Sequence, residues 1–262
     1  MITYPLANTA IQWFGKRWPT PAATPEVVVL HTTESSGWPH YGGGAKAPHL
    51  TVAPDMRHHR LVWRQHFDMA RSARALRHAP GTVETNNRGA IQVEMVGTCR
   101  LRGPGLWWST APGWALEGIA EFLAWCNRQL GIPLVAAKGW PPYRDGASSP
   151  ERMTGGQWLA FRGICGHLHV PGGNTHLDPA DFPIARVLDM ITREEDEGMA
   201  VSRDDANRIA AAVWGASFGE GRDEDPDPDN RITAGQRLAN AATKKELADL
   251  EARLEAAIRQ GR

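Results

Sequence analysis

Hydrophobic residues over the first hundred positions fall into short runs that predict β-strands. The run "VVVLHTTES" is continuously apolar from Val27 up to His31, which is typical of a strand buried on both faces. Shorter strand candidates follow at 48–55 ("PHLTVAPD") and at 59–65 ("HRLVWRQ"). Residues 88–97 ("RGAIQVEMVG") alternate apolar and polar positions. The pattern therefore predicts four strands before residue 100.

Segments with apolar residues at helical spacing come next along the chain. The first is "WALEGIAEFLAWCNRQL" (114–130), which ends at the helix-terminating sequence Gly-Ile-Pro. A short helix around "TGGQWLAF" (154–161), a strand at "GICGHLHV" (163–170) and a helix at "FPIARVLDMITREE" (182–195) follow. Because strands and helices alternate, we predict one α/β domain and assign it to residues 1–197.

Residues 198–262 have a different pattern and are predicted to form a helical C-terminal extension. The segment 202–216 begins with a capping-box pattern, Ser202 with Asp205 three positions later, and predicts a helix. An acidic, proline-broken linker follows at 219–231. The last segment carries a heptad seam of two to three heptads, formed by Thr243, Leu247, Leu250, Leu254 and Ala257. Two interpretations stay open: an amphipathic helix that is docked on its own domain or partly frayed, or a short coiled coil that makes a homo-oligomer.

Composition and charge argue against several classes of function. The 262 residues include 29 basic and 29 acidic side chains, and this balance argues against a general electrostatic grip on nucleic acid or an anionic membrane. The three cysteines form no CxxC pair, which fits a reducing compartment. The N-terminus lacks the pattern of a signal peptide, and no segment reaches the ~18 apolar residues of a membrane span. We therefore expect a protein made soluble in the cytoplasm, without membrane insertion.

Candidate metal ligands concentrate in the glycine- and proline-broken run "GICGHLHVPGGNTHLDPADF". It contains His167, His169, His176 and Asp178, and His31 ends the first predicted strand. Neutral imidazole and carboxylate are natural zinc ligands, and a catalytic zinc keeps three protein ligands and one open position for water. Strand alternation places His167 and His169 on one face, so either can point at the site.

Four segments, "VVVLHTTES", "APHLTVAPD", "GAIQVEMVG" and "GHLHVPGGNTHLDP", carry a family resemblance in this order. They resemble the zinc-dependent N-acetylmuramoyl-L-alanine amidases of type 2, the peptidoglycan-recognition-protein-like family, and in particular endolysins of phages that infect actinobacteria. The resemblance covers roughly residues 5–195 and implies a single mixed β-sheet flanked by helices. It implies zinc as cofactor, with His31, His167 and Asp178 as ligands. His176 takes the position of a lysine or histidine that stabilises the transition state; in a competing assignment His176 is the third ligand and Asp178 supports it.

The acid–base group of this family is either a tyrosine before the "HLTV"-like strand or a glutamate in the "GAIQVEMVG"-like strand. Pro48 occupies the tyrosine-like position here, so the resemblance assigns the role to Glu94. A carboxylate among apolar neighbours is costly unless it has a partner or a function.

The other histidines have weaker assignments. His169 is expected to support the site or line its wall, with direct ligation as the alternative. His49 either orients a ligand or is structural. The remaining five have no supporting spacing and are predicted to lie at the surface: His40, His58, His59, His66 and His78.

The resemblance also names a reaction, cleavage of the amide between N-acetylmuramic acid and L-alanine of the stem peptide in bacterial peptidoglycan. It implies an endolysin made in the host cytoplasm that acts on the cell wall after release during phage-induced lysis. Two alternatives stay open, a virion-associated hydrolase used at entry and a non-catalytic peptidoglycan-binding module. A polymeric substrate requires an open groove, and four tryptophans near loops are candidates for its walls: Trp38, Trp63, Trp107 and Trp108.

Overall fold

The computed structural model describes residues 1–76, 83–86, 89–144, 148–172 and 176–199. The strands are β1 (Ala7–Asn8), β2 (Val27–Thr32), β3 (Leu50–Asp55), β4 (Arg60–Gln65), β5 (Ala90–Met95) and β6 (Gly163–Gly166). The helices are α1 (Gly113–Leu130), α2 (Gly155–Ala160) and α3 (Ile184–Met199), with 3₁₀ turns at Trp108–Thr110 and His167–His169. Residues Met1–Ile191 form one compact unit. No helix of the described residues is both long enough and apolar enough to cross a membrane.

The six strands form one mixed sheet in the order β1-β4-β3-β5-β2-β6. Only β3 and β4 are antiparallel among these neighbouring pairs; the others are parallel. All six residues of β2 are buried, as its continuous apolar run predicts. The prediction of an α/β fold with a single mixed sheet flanked by helices is therefore confirmed.

The two faces of the sheet have different characters. One face contributes Leu30 and Val93 to the main core, which includes apolar side chains of α1 and α3. The other face contributes Val29 to a smaller cluster that contains a tryptophan of α2. Because side chains alternate along a strand, this second face continues toward the strand ends with His31 and Glu94. It is apolar at one end and polar at the other, and the polar end is the candidate site.

The helices lie close to their predicted positions. Helix α1 ends where the left-handed Gly131, with φ of 68°, donates its N–H to the Asn127 carbonyl. Helix α2 begins after Thr154, whose side chain accepts a hydrogen bond from the Gln157 N–H in a capping box. These local signals are present in the sequence, so the boundaries of both helices agree with the prediction within two residues.

The strand predicted at 163–170 is shorter in the structure. β6 ends at Gly166, and His167–His169 form a 3₁₀ turn. The prediction that His167 and His169 share one face was therefore wrong. The turn is stabilised by contacts distant in sequence, since the Leu168 N–H donates to the Asp178 carbonyl at 2.9 Å.

The prediction of five surface histidines holds in part. His40, His58 and His59 are exposed, and His78 lies outside the described residues. His66 is fully buried, so its prediction was wrong. Its ring nitrogens are held by side-chain and backbone partners on other segments. The predicted helix at 202–216, the acidic linker and the heptad seam also lie outside the described residues.

Candidate metal centre

Strand register places three polar side chains at one level of the sheet, near the carboxyl ends of β2 and β5 and the amino end of β3. His31 of β2 pairs with Glu94 of β5, and Glu94 pairs with Thr51 of β3 on its other side. β6 pairs with β2 on the side opposite β5, and it ends at Gly166, immediately before His167. In α/β sheets, ligand sites commonly form at the carboxyl ends of strands. The register therefore brings candidate residues from distant parts of the sequence to one place.

Three side chains bring potential metal-ligating atoms together: those of His31, His167 and Asp178. The Nδ1 atoms of His31 and His167 are 3.1 Å apart. Asp178 carboxylate oxygens lie 3.4 Å from each of these nitrogens. In a tetrahedral zinc site with bonds of about 2.0–2.1 Å, neighbouring ligand atoms are about 3.3 Å apart. The spacing of these three buried donors therefore fits a single tetrahedral ion.

Asp178 is held in place by contacts of its loop with β2 and with the 3₁₀ turn. The Thr32 N–H donates to Asp178 Oδ2 at 3.3 Å, in addition to the Leu168 bond described above. Pro179 covers Gly166 so closely that a Cβ at Gly166 would lie 2.6 Å from Pro179 Cδ. The absence of a side chain at Gly166 thus lets the loop bring the carboxylate to the two histidines.

The ionisation states in this cluster suit metal binding. Burial, together with the charge of His167, lowers the pKa of His31 to about 4. Burial alone would raise the pKa of the Asp178 carboxyl, but the surrounding histidines outweigh it and hold that pKa well below its usual range. Metal ligation requires neutral imidazole and ionised carboxylate. His31 and Asp178 have these forms at neutral pH.

Glu94 faces the same cavity, which has a volume of about 520 Å³. Its Oε2 atom is buried and has no hydrogen-bond partner among the described residues. Burial, and then the charges of Asp178 and Glu34, raise the pKa of Glu94 to about 8. A carboxyl group with a pKa near neutrality and an unpaired oxygen can accept a proton from a bound molecule and return it.

His176 lies at the rim of the cavity with 62% of its side chain exposed. Its ring stacks on the ring of His167, with centroids 4.6 Å apart. Its Nδ1 atom is 3.5 Å from an Asp178 oxygen. The geometric cluster of potential ligands in the described residues contains Asp178 and not His176. This placement favours His176 as a group that contacts a ligand of the cavity over His176 as the third metal ligand.

His169 and His49 make structural hydrogen bonds. His169 Nδ1 accepts from the Gly166 N–H at 3.0 Å, and its Nε2 donates to the Gly139 carbonyl at 2.7 Å. His49 Nδ1 accepts from the Gln92 N–H, and its Nε2 donates to a backbone carbonyl. Both ring nitrogens of each histidine are thus occupied by the backbone. His169 thus holds the backbone of Gly166, the residue before His167. With both ring nitrogens occupied, His169 is disfavoured as a direct metal ligand.

Tyr41 is a cavity residue that sequence reasoning missed. It lines the cavity from a glycine-rich loop, seven positions before Pro48. Its hydroxyl lies 2.6 Å from Thr51 Oγ1, and Thr51 Oγ1 lies 2.8 Å from His66 Nε2. A tyrosine is therefore present in the cavity although Pro48 occupies the tyrosine-like position. The sequence signal was weak, because only the fold brings this loop to the beginning of β3.

The four candidate groove tryptophans divide into two pairs. Trp63 and Trp108 are buried in the main core. Trp38 and Trp107 are half-buried and line a separate groove of about 440 Å³. The structure therefore leaves Trp38 and Trp107 as the two that are available to a ligand.

Comparisons with known proteins found distant similarity only. No family model and no curated protein matches the chain. It is similar to the Staphylococcus aureus hydrolase AmiA in complex with its ligand, with 16% identity, a TM-score of 0.44, and coverage of 69% of this chain and 81% of that one. It is also similar to the E90A mutant structure of PlyL, with 14% identity, a TM-score of 0.40, and coverage of 70% and 94%. At this distance neither match bears on activity, so the function of this chain is inferred from its own residues.

Proposed function

We propose that this protein is a zinc-dependent peptidoglycan hydrolase, an N-acetylmuramoyl-L-alanine amidase that acts in phage-induced host cell lysis. The observation that carries the proposal is the cluster of His31, His167 and Asp178 beside the buried carboxyl group of Glu94 in one cavity. The motif resemblance supplies the substrate and the bond. A non-catalytic binding module does not require this combination of three spaced metal donors and an unpaired acid–base group.

The residues of the cavity have separate roles in this proposal. A zinc ion held by His31, His167 and Asp178 would polarise the scissile carbonyl and lower the pKa of water. In its ionised form Glu94 accepts the proton of the attacking water, and as the resulting acid it returns the proton to the nitrogen of the departing L-alanine. His176 donates a hydrogen bond to the carbonyl oxygen as negative charge develops there, an interaction that can be worth about 3 kcal/mol.

Removal of the metal and of the acid–base group tests the proposal. Chelator-treated protein should lose hydrolysis of purified cell walls and regain it with zinc.

Glu94→Gln should retain zinc and lose at least about 100-fold in turnover, because an amide cannot transfer the proton. Glu117→Gln, on an exposed position of α1, is the matched control. The product measured is new N-terminal alanine; full release of alanine by metal-free protein, or by Glu94→Gln, contradicts the proposal.

A further inference from the structure

The side chain of Arg152 bridges two backbone segments of the candidate site. Its Nη1 atom donates to the Val170 carbonyl, and its Nη2 atom donates to the His176 carbonyl at 3.0 Å. Val170 directly follows the 3₁₀ turn that contains His167. His176 lies two positions before Asp178. Because a guanidinium group presents its N–H donors in a rigid planar fork, one side chain can hold both segments at a fixed separation.

Arg152 is itself anchored to the core of the domain. The next residue, Met153, donates its N–H to the His169 carbonyl at 2.9 Å and packs against the smaller apolar cluster of the sheet. Thr154 then caps α2. The Arg152 side chain is half-buried, and a charged group in such surroundings needs partners for its donors. The guanidinium group is thus a fixed support for the two carbonyls that it bonds.

His176 is the site residue whose position depends most on its main chain. Its ring is largely exposed, and it stacks on the ring of His167 with 18° between the ring planes. A side chain with few buried contacts is weakly held by packing, so its position follows that of its backbone. A displacement of about 1 Å at a catalytic group can cost about 100-fold in rate. The bond from Arg152 to the His176 carbonyl therefore affects where the imidazole lies at the cavity rim.

Arg152 is separate from the reacting groups. It does not line the metal cavity, and it is not one of the clustered metal donors. Arg162 offers a comparison nearby in the chain, because its Nη1 atom also donates to two backbone carbonyls, those of Leu159 and Phe161 in its own segment. Arg162 does not line the cavity either. Of the two arginines, Arg152 is the one bonded to a residue of the candidate site.

We propose that Arg152 is a positioning residue for His176, an inference that rests on the proposed function. The guanidinium group holds the His176 carbonyl, so that the imidazole stays stacked on His167 at the rim of the cavity. From there His176 donates to the carbonyl oxygen of the scissile amide as negative charge develops. Loss of the fork lets the main chain of His176 move and removes this hydrogen bond. The metal donors keep their own contacts, such as the bond from Thr32 to Asp178.

Substitution of Arg152 with and without His176 tests the proposal in the full chain. Arg152→Met keeps the length of the side chain but removes its donors. It should lower kcat on a soluble muropeptide at least about tenfold and leave KM within about twofold, because the lost interaction is made in the transition state. Arg152→Lys keeps the charge without the fork and should lose about threefold. In the His176→Ala background, Arg152→Met should cost less than about twofold more, since the two residues act as one.

A second measurement follows the position of the His176 ring without hydrolysis. In proton NMR spectra recorded at one fixed pH, the ring protons of His176 are identified by their absence in His176→Ala. Stacking on His167 should shift them upfield of the ring protons of the exposed His40. Arg152→Met should return them toward the position of an exposed histidine. Arg162→Met is the matched control and should change neither these shifts nor the kinetic constants.

The outcomes separate this inference from the proposed function. Unchanged ring shifts in Arg152→Met overturn the inference, and so does an equal loss of kcat with and without His176. Loss of zinc affinity in Arg152→Met also overturns it, because Arg152 would then support the metal donors. If the unaltered protein releases no alanine, the amidase proposal fails, and the ring shifts still decide whether Arg152 holds His176. Circular dichroism checks folding, and Arg152→Lys provides both measurements if Arg152→Met does not fold.

Discussion

Asp178 is the residue on which the candidate metal centre most depends. Its carboxylate lies within 3.5 Å of the Nδ1 atoms of His31, His167 and His176, and it also accepts from the backbone of β2. A buried carboxylate in such surroundings is stabilised in its charged form by the histidines. The carboxylate holds the imidazoles together, and in the proposed zinc site it would supply the negatively charged ligand.

Replacement of the Asp178 carboxylate by an amide removes its negative charge while the size and shape of the side chain stay nearly the same. Asp178→Asn keeps an oxygen that can accept the hydrogen bond of Thr32 but removes the negative charge with which Asp178 would bind a metal. We expect the affinity for zinc to fall at least about 100-fold, more than the loss typical of a supporting residue. The measurement is competition with a chromogenic zinc chelator.

The same measurement decides between the two assignments of the third ligand. Asp189→Asn, an exposed position on α3, should leave the affinity unchanged and serves as the control. His176→Ala should retain zinc and lose turnover, because His176 lies at the rim and outside the cluster of donors. Loss of zinc in His176→Ala with retention in Asp178→Asn would reverse the assignment of these two residues.

At the scale of elements, the sequence predicted five of the six described strands, but not the short β1 (Ala7–Asn8) and not the end of β6. The apolar run of β2 and the alternation of β5 placed His31 and Glu94 on strands, and both strands lie where they were expected. The end of β6 was not predicted, because the alternation "HLH" fits either a strand or a tight turn. The bonds that decide between them come from Asp178 and from the ring of His169 itself.

Contacts between distant elements explain why the burial of His66 and the position of Tyr41 in the cavity were not predicted. His66 was expected at the surface, since nothing near it in sequence indicates a buried partner. In the structure it bonds Thr51 on the adjacent strand and the carbonyl of Gln12, far away in sequence. Tyr41 enters the cavity through the same network. Local periodicity therefore identified the strands that carry the site, whereas the residues around it depend on pairing that local patterns do not encode.

The first residue of β6 offers a test of how the strand positions the metal centre. Gly163 has φ of 131°, and a Cβ there would lie 2.2 Å from the Val135 carbonyl oxygen. Because backbone atoms cannot move aside, Gly163→Ala should lower the free energy of unfolding by about 3 kcal/mol. It should also weaken zinc binding, since β6 leads directly into His167. Thermal unfolding and zinc competition measure the two effects.

A second glycine provides the control for backbone strain alone. Gly131 also has positive φ, 68°, but no atom lies within 4 Å of a Cβ placed there. Gly131→Ala should therefore cost only about 1 kcal/mol from the left-handed conformation and leave zinc affinity unchanged. Equal losses of stability in the two variants would show that the close contact at Gly163 has no special effect.

At the scale of the whole molecule, all residues assigned to the candidate site lie between His31 and Asp178 in the sequence. Residues 1–191 already form one compact unit that contains the sheet, the metal donors, Glu94 and the tryptophan groove. We therefore propose that residues 1–197 are the catalytic part of the chain and that residues 198–262 serve another purpose.

Truncation after residue 197 tests this division and the role of the heptad seam together. Residues 1–197 should retain the zinc affinity of the full chain and its rate of alanine release within about twofold, because no residue of the candidate site is removed.

Light scattering coupled to size exclusion then compares the masses of the two chains. If the seam is a coiled coil, the full chain is an oligomer, the truncated chain is a monomer, and Leu250→Lys in the full chain restores the monomer by placing a charge in the seam. If the seam docks on its own domain, both chains are monomers and truncation lowers the thermal stability instead. Loss of zinc or of hydrolysis on truncation would mean that the extension belongs to the catalytic unit and would overturn the boundary.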